Sequence, residues 1–272
     1  MNKNLCAPNI NKHSLESSSL DTCFTLEELI EIANAYNNFY QFSNSKKIVI
    51  KDKNKKQIWN SINKRLESIC NIESCWIEQK FLNSLKNKNL LQKLKYYTFK
   101  PKMTRGQYTW LNTNNINEVF LQYEKLFNNF YFAGALPSDF YKYKKFDKNI
   151  LDKYTYIGFV FNHDSSKKPG SHWVSFFIDN NKKTIEYFDS VGSPPTKLIN
   201  NFIKIIRKQL PNYIYLENAI THQLKNSECG MYSIYYILQR LMGKSFHYIS
   251  NNIIRDSHMN KFRNYIFRPR SK

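Results

Sequence analysis

The 272-residue chain reads as an α+β protein: a central mixed sheet flanked by helices, with a helical arm lobe placed before it. Three observations carry this. The first hundred residues hold apolar positions at helical spacing, a block from 154 to 190 reads as short aromatic strands, and amphipathic helical patterns precede and follow that block.

The first twenty residues are polar and are expected to be mobile. In "DTCFTLEELIEIANAYNNFY", Thr25 and Glu28 have capping-box spacing and Leu26, Leu29, Ile30 and Ala33 form one stripe, so a helix is expected. Ile58, Ile62, Leu66 and Ile69 predict a second helix, and Trp76 or Ile77 with Phe81 and Leu85 a third. The pattern changes after the basic stretch "LQKLKYYTFKPKMTRG", which sets a boundary near residue 95: an arm lobe over 1–95 and a second domain over 96–272. Ile116, Val119, Phe120 and Tyr123 predict a helix over 112–127. Strands are expected at 154–162, 172–180 and 184–190, the last two joined by a turn in "DNNKK". Pro in "GSPP" opens a helix in "PTKLINNFIKIIRKQL", "NYIYLENAIT" reads as a fourth strand, and a helix runs from about Gly230 to Leu241. No internal repeat is visible.

Composition narrows the function classes. A hydrophobic content of 42% with 16% aromatic residues suits a globular core. The longest apolar runs, "HWVSFFI" and "MYSIYYIL", fall short of the roughly 20 residues of a membrane span, so a soluble protein with no membrane partner is expected. The start resembles neither a secretory signal nor a transit peptide, which leaves a cytoplasmic location as the expectation. Five cysteines, odd in number and unevenly spread, argue against a disulfide framework and for a reducing compartment. Cys70 and Cys75 are too loosely spaced for a redox C-x-x-C, and no second Cys/His pair has zinc-ligand spacing, so neither metal nor cofactor is expected. A net charge of +20 favours approach to polyanions, which keeps non-specific nucleic acid as a partner. The lysines are dispersed and aromatic residues do not interleave with them, so a merely solvated basic surface is the favoured reading.

Chemistry concentrates around "HQLKNSECGMYSIYYI". Cys229 opens an apolar helix, where unpaired N–H groups and the dipole favour a thiolate, and Gly230 beside it leaves room for a substrate backbone. A thiolate nucleophile needs an imidazole, itself held in one tautomer by a third group. His172 opens one expected strand and Asp189 ends the next; in an antiparallel hairpin those positions lie side by side. Gln223, six residues before Cys229, offers an amide N–H for an oxyanion beside the N–H of Cys229. Each residue taken singly has a structural reading: packing for Cys229, a solvated strand end for His172, a turn cap for Asp189, a loop amide for Gln223. Together, in that sequence, they outweigh it. His222 ranks below His172 for want of an acidic partner, and His163, His247, His258 and His13 are read as surface or structural.

This pattern resembles the SUMO-protease and adenovirus-protease-like group of cysteine proteases. The stretches "TWLNTNNINEVFLQYEK", "SHWVSFFID", "IEYFDSVG" and "HQLKNSECGMYSIYYI" carry the likeness, with His172-Trp173, Asp189, Gln223 and Cys229-Gly230 in the group's order. The resemblance implies a papain-type core and thiol endopeptidase activity. "SPP", "ECG-x-YS" and the terminal "MNKFRNYIFRPR" are similar to the African swine fever virus type of polyprotein-processing protease within the group. That implies polyprotein substrates cut at Gly-Gly-X sites during virion maturation, in the virion and the host cytoplasm. Asp189, where the viral type carries Asn, is the SUMO-protease choice, and Trp110 resembles the tryptophan that roofs the Gly-Gly tunnel in SUMO proteases. Trp110 and Trp173 are therefore candidates for lining the substrate tunnel, with a core role as the alternative. A ubiquitin- or SUMO-like deconjugase, an acyl transferase and an inactive basic nucleic-acid-binding virion protein stay open as other readings.

Overall fold

Thr25 caps the first helix as its spacing to Glu28 predicts: its hydroxyl accepts from the Glu28 N–H at 3.2 Å, and the Glu28 carboxylate accepts from the Thr25 N–H at 2.8 Å. The structure is a computed structural model that describes residues 5–8, 10, 22–42, 47–50, 54–103 and 109–269. These divide into two units, Met1–Lys102 with Phe267–Lys272, and Met103–Ile266.

The first unit is helical: α1 (Leu26–Phe39), α2 (Lys55–Leu66), α3 (Glu73–Trp76), a 3₁₀ turn at Lys80–Ser84, and α4 (Lys88–Tyr97). Leu29, Ala33, Ile58, Ile62 and Leu66 of the expected stripes are buried together with Phe24, Trp76, Phe81 and Phe99. Each such Leu or Ile contributes roughly 1.5–3 kcal/mol of transfer free energy. Ile69 is not part of its stripe; it lies beyond the end of α2 and is exposed. The third expected helix is broken. Gln79 is extended, and its side-chain amide, rather than its N–H, reaches the Cys75 carbonyl at 3.2 Å, so the helical ladder stops and resumes as 3₁₀.

Two expectations about the first unit need correction. Cys6–Cys23 and Cys70–Cys75 are disulfide-bonded, which leaves Cys229 as the free cysteine. Counting cysteines could not show this, because the Cys6–Cys23 pair forms where the start of the chain is anchored: Lys100 N–H donates to the Leu5 carbonyl and Ala7 N–H to that of Thr98. The same bonds fix residues 5–7 of a segment expected to be mobile; most of its remainder lies outside the described residues.

The second unit holds α5 (Thr113–Leu126), β1 (Phe130–Pro137), a 3₁₀ turn at Phe140–Lys142, α6 (Lys148–Lys153), β2 (Tyr156–Asn162), β3 (Trp173–Asp179), β4 (Thr184–Phe188), α7 (Lys197–Gln209), β5 (Ile214–Glu217), α8 (Cys229–Leu241), α9 (Phe246–Asn251) and α10 (Asp256–Ile266). The five strands form one mixed sheet in sequence order, with β1 parallel to β2, β3 antiparallel to both its neighbours, and β5 parallel to β4. Every residue of β3 is buried because both faces are covered. Val174, Phe176 and Ile178 join the core with Phe202 and Ile203 of α7, while Ser175 donates to the Ser233 carbonyl of α8 and Asp179 pairs with Arg240. Among the described residues, no helix is long and apolar enough to cross a membrane.

Candidate active site

Antiparallel pairing of β2 with β3 runs to Asn162 opposite Trp173, and one step further the His163 N–H donates to the His172 carbonyl at 2.9 Å. The two imidazoles therefore emerge together at one sheet end, ring centroids 4.7 Å apart. The loop between them is closed by the Asn162 side chain, whose carbonyl accepts from the N–H groups of Asp164 and Ser171, and by Asp139, which accepts from both N–H and hydroxyl of Ser166.

Asp189 follows β4, and the hairpin brings it beside His172 as the sequence suggests: Nε2 lies 2.6 Å from Asp189 Oδ1. The carboxylate is fully buried and rigidly held. Oδ1 also accepts from the Val191 N–H at 2.9 Å, and Asn218 clamps the Asp189 backbone, accepting from its N–H and donating to its carbonyl, both at 2.8 Å. The turn closes at Gly192, whose φ of +72° and approach to the Ala219 carbonyl leave no room for a Cβ.

The Ser190 carbonyl then accepts from the N–H groups of His222 and Gln223, both at 2.8 Å, and the Ser190 hydroxyl donates to Gln223 Oε1 at 2.7 Å. The Gln223 amide also donates to the Lys225 carbonyl. Cys229 is the first residue of α8, 2% exposed, and lies near enough to His172 to raise the proton affinity of that ring. Burial lowers the proton affinity of His172, but the hydrogen bonds to Asp189 and Cys229 and their charges outweigh it and raise its pKa to about 9. In that state the ring is a cation near the Cys229 side chain.

Trp173 is nearly buried, and its indole N–H donates to the Leu111 carbonyl at 2.7 Å, which fixes the segment before α5. Trp110, on that segment, is half exposed. Both indoles line a cleft of about 430 Å³ with Asn112, Asp164, Lys168 and Gly170. Gly230 lies elsewhere: a Cβ there would meet Leu111 Cβ at 3.0 Å, so its missing side chain admits Leu111 rather than opening onto the cleft. His222 is buried against Phe188 and accepts from the Ile254 N–H. His163, read from the sequence as surface or structural, is part of the cluster; its Nε2 is 3.3 Å from the Tyr187 hydroxyl and 3.9 Å from Asp189 Oδ2. The signal was present, since strands ending at 162 and beginning at 172 put residue 163 opposite His172.

Known proteases resemble this chain along most of its length. Residues 76–271 match the Ulp1 protease family, C-terminal catalytic domain. The chain is 32% identical to R355 of Acanthamoeba polyphaga mimivirus, a protein named as a thiol protease, over 97% of this chain and 93% of that one. It is 30% identical to the cysteine protease S273R of African swine fever virus, over 78% of this chain and 88% of the other. A crystal structure of the swine fever virus pS273R protease shares the fold, with a TM-score of 0.72 at 23% identity over 98% of this chain and 96% of that one. Because the family's domain is matched over most of the residues, the chain belongs to the Ulp1 protease family, as a cysteine protease of the viral type.

Proposed function

We propose that the chain is an endopeptidase that cuts viral core polyproteins after Gly-Gly-type sequences during virion maturation, in the virion and the host cytoplasm. The observation that carries this reading is His172 held by Asp189 at 2.6 Å, with Cys229 at the start of α8 near enough to raise the proton affinity of the ring. Cys229 Sγ attacks the carbonyl carbon of the residue before the cut, and the resulting oxyanion is met by the Cys229 N–H and the second amide N–H of Gln223. His172 delivers its proton to the leaving amine as the C–N bond breaks and a thioester forms. It then takes a proton from water as that water attacks the thioester, releasing the acid product and restoring the thiol pair. The cleft between Trp110 and Trp173 supports a preference for residues without side chains at the cut, since indole walls admit a bare backbone.

One swine fever virus relative is named as a SUMO-1 cysteine protease, which favours release of a ubiquitin-like modifier as the second reading. The two separate on one panel: Gly-Gly-X peptides on one side, ubiquitin and SUMO conjugates on the other, each with wild type and Cys229→Ala. Cysteine-dependent cleavage of short peptides with intact conjugates is the expected result. Release of a modifier without peptide cleavage would replace the first reading with the second, and cleavage by Cys229→Ala would remove both.

A further inference from the structure

We propose that His163, His172 and Asp189 form a transition-metal site, suited to Zn²⁺ or an ion of like preference, whose occupation switches the protease off. Ion binding is argued from geometry alone; inhibition rests on the role proposed above for His172.

The ends of three strands meet here. His163 follows β2, His172 precedes β3 and Asp189 follows β4, and one donor atom from each lies within 4.8 Å of the other two. A second observation points to a cation. Asp189 Oδ1 accepts from His172 and Val191, but Oδ2 is buried without a hydrogen-bond partner, 3.9 Å from His163 Nε2. A buried charged acceptor left in this state is destabilising, and a coordinated cation removes that cost. The Tyr187 hydroxyl lies 3.3 Å from His163 Nε2, a contact that a metal bound at this nitrogen would displace. Two imidazoles and a carboxylate are the donor set of zinc and its neighbours, and three ligands leave a fourth position for water. Both imidazole side chains keep some exposure, 19% for His163 and 16% for His172, so an ion reaches them from solvent.

Occupation has a chemical consequence. Tetrahedral ligands at about 2.0 Å from zinc stand about 3.3 Å apart, so the three side chains draw together around the ion. His172 Nε2 gives its proton to solvent and exchanges Asp189 for the metal. The ring can no longer alternate between imidazolium and imidazole beside Cys229, since giving up its remaining proton would leave an imidazolate, and the proton exchange with the leaving amine and with water stops. Cys229 is not among the three clustered ligands. Spacing rules miss such a site because its ligands are assembled by strand register.

The test is calorimetric titration of ZnCl₂ into the full-length protein, its Cys229→Ala variant and His163→Gln, with Co²⁺ absorption as a second readout. One ion is expected on wild type and on Cys229→Ala with affinities within about threefold. His163→Gln should bind at least about 100-fold more weakly, beyond the loss caused by a merely supporting residue. The Co²⁺ complex should lack a thiolate charge-transfer band. In peptide cleavage, Zn²⁺ should inhibit wild type over the concentration range that fills the calorimetric site. Unchanged affinity in His163→Gln, no binding at all, or a thiolate band lost in Cys229→Ala would overturn the site. The cobalt spectrum of the unaltered protein decides the matter even where a His163 variant does not fold. Absence of any peptide cleavage would count against the proposed function and leave the calorimetric answer standing.

Discussion

His172 carries opposing influences on one proton. Burial favours the neutral ring, whereas Asp189 at 2.6 Å and the Cys229 contact favour the cation and win, placing the pKa at about 9 against an ordinary 6.5. A folded-state value above the unfolded one means the interaction's stabilisation is fully present below about pH 6.5 and is lost as pH rises through about 9. Activity that needs the imidazolium should therefore fall on the alkaline side near that value. Asp189→Asn keeps the hydrogen-bond shape but removes the charge, so its alkaline limb in a kcat/KM profile should shift toward neutral pH; an unshifted limb would deny Asp189 this influence. Gln223 is held by Ser190 with its amide directed along the segment that leads to Cys229. Removing such a donor typically costs about 10²-fold to 10³-fold in rate, so Gln223→Ala should show that loss in kcat with KM little changed.

Among the elements, the helices that bury a clean stripe were legible in the sequence, and so were β2, β3, β4 and β5. β1 was not. "FYFAGALP" neither alternates nor excludes glycine, and a bulge between Phe132 and Gly134 breaks its register with β2. α4 was hidden inside a basic stretch, since Leu94 is its one fully buried residue. The same limit explains the site. His172 and Asp189 flank strands with a strong pattern and Cys229 opens a helix, so their positions could be read, whereas Gln223 lies in the loop between β5 and α8 and the Gly230 packing against Leu111 needed three dimensions. α8 is tied to the sheet by a buried network that no local pattern announces. Arg240 donates to both oxygens of Glu186 at 2.7 and 2.8 Å and to Asp179 at 2.9 Å, and the Tyr236 hydroxyl donates to Glu186 at 2.5 Å. Arg240→Ala leaves two carboxylates buried without their cation and should lower stability by about 3–5 kcal/mol in denaturant unfolding. Because α8 begins with Cys229, cleavage should weaken in the same variant below its unfolding midpoint.

For the molecule as a whole, the family match and the mixed sheet point to one chemistry, while the helical first unit has no residue in it. The mimivirus relative aligns over 97% of the chain, so the likeness is not confined to the second unit. The formal charge of +20 belongs to this level too, since a charge of that sign and size generally favours approach to polyanions. The central claim remains one thiol at the start of α8, activated by one imidazole. Intact-mass and peptide-mapping spectrometry after exposure to a peptide ending in a Gly-Gly vinyl sulfone tests it most directly. A single adduct on Cys229, absent in His172→Ala, is the predicted result; an adduct formed equally well without His172, or carried by another residue, would contradict it.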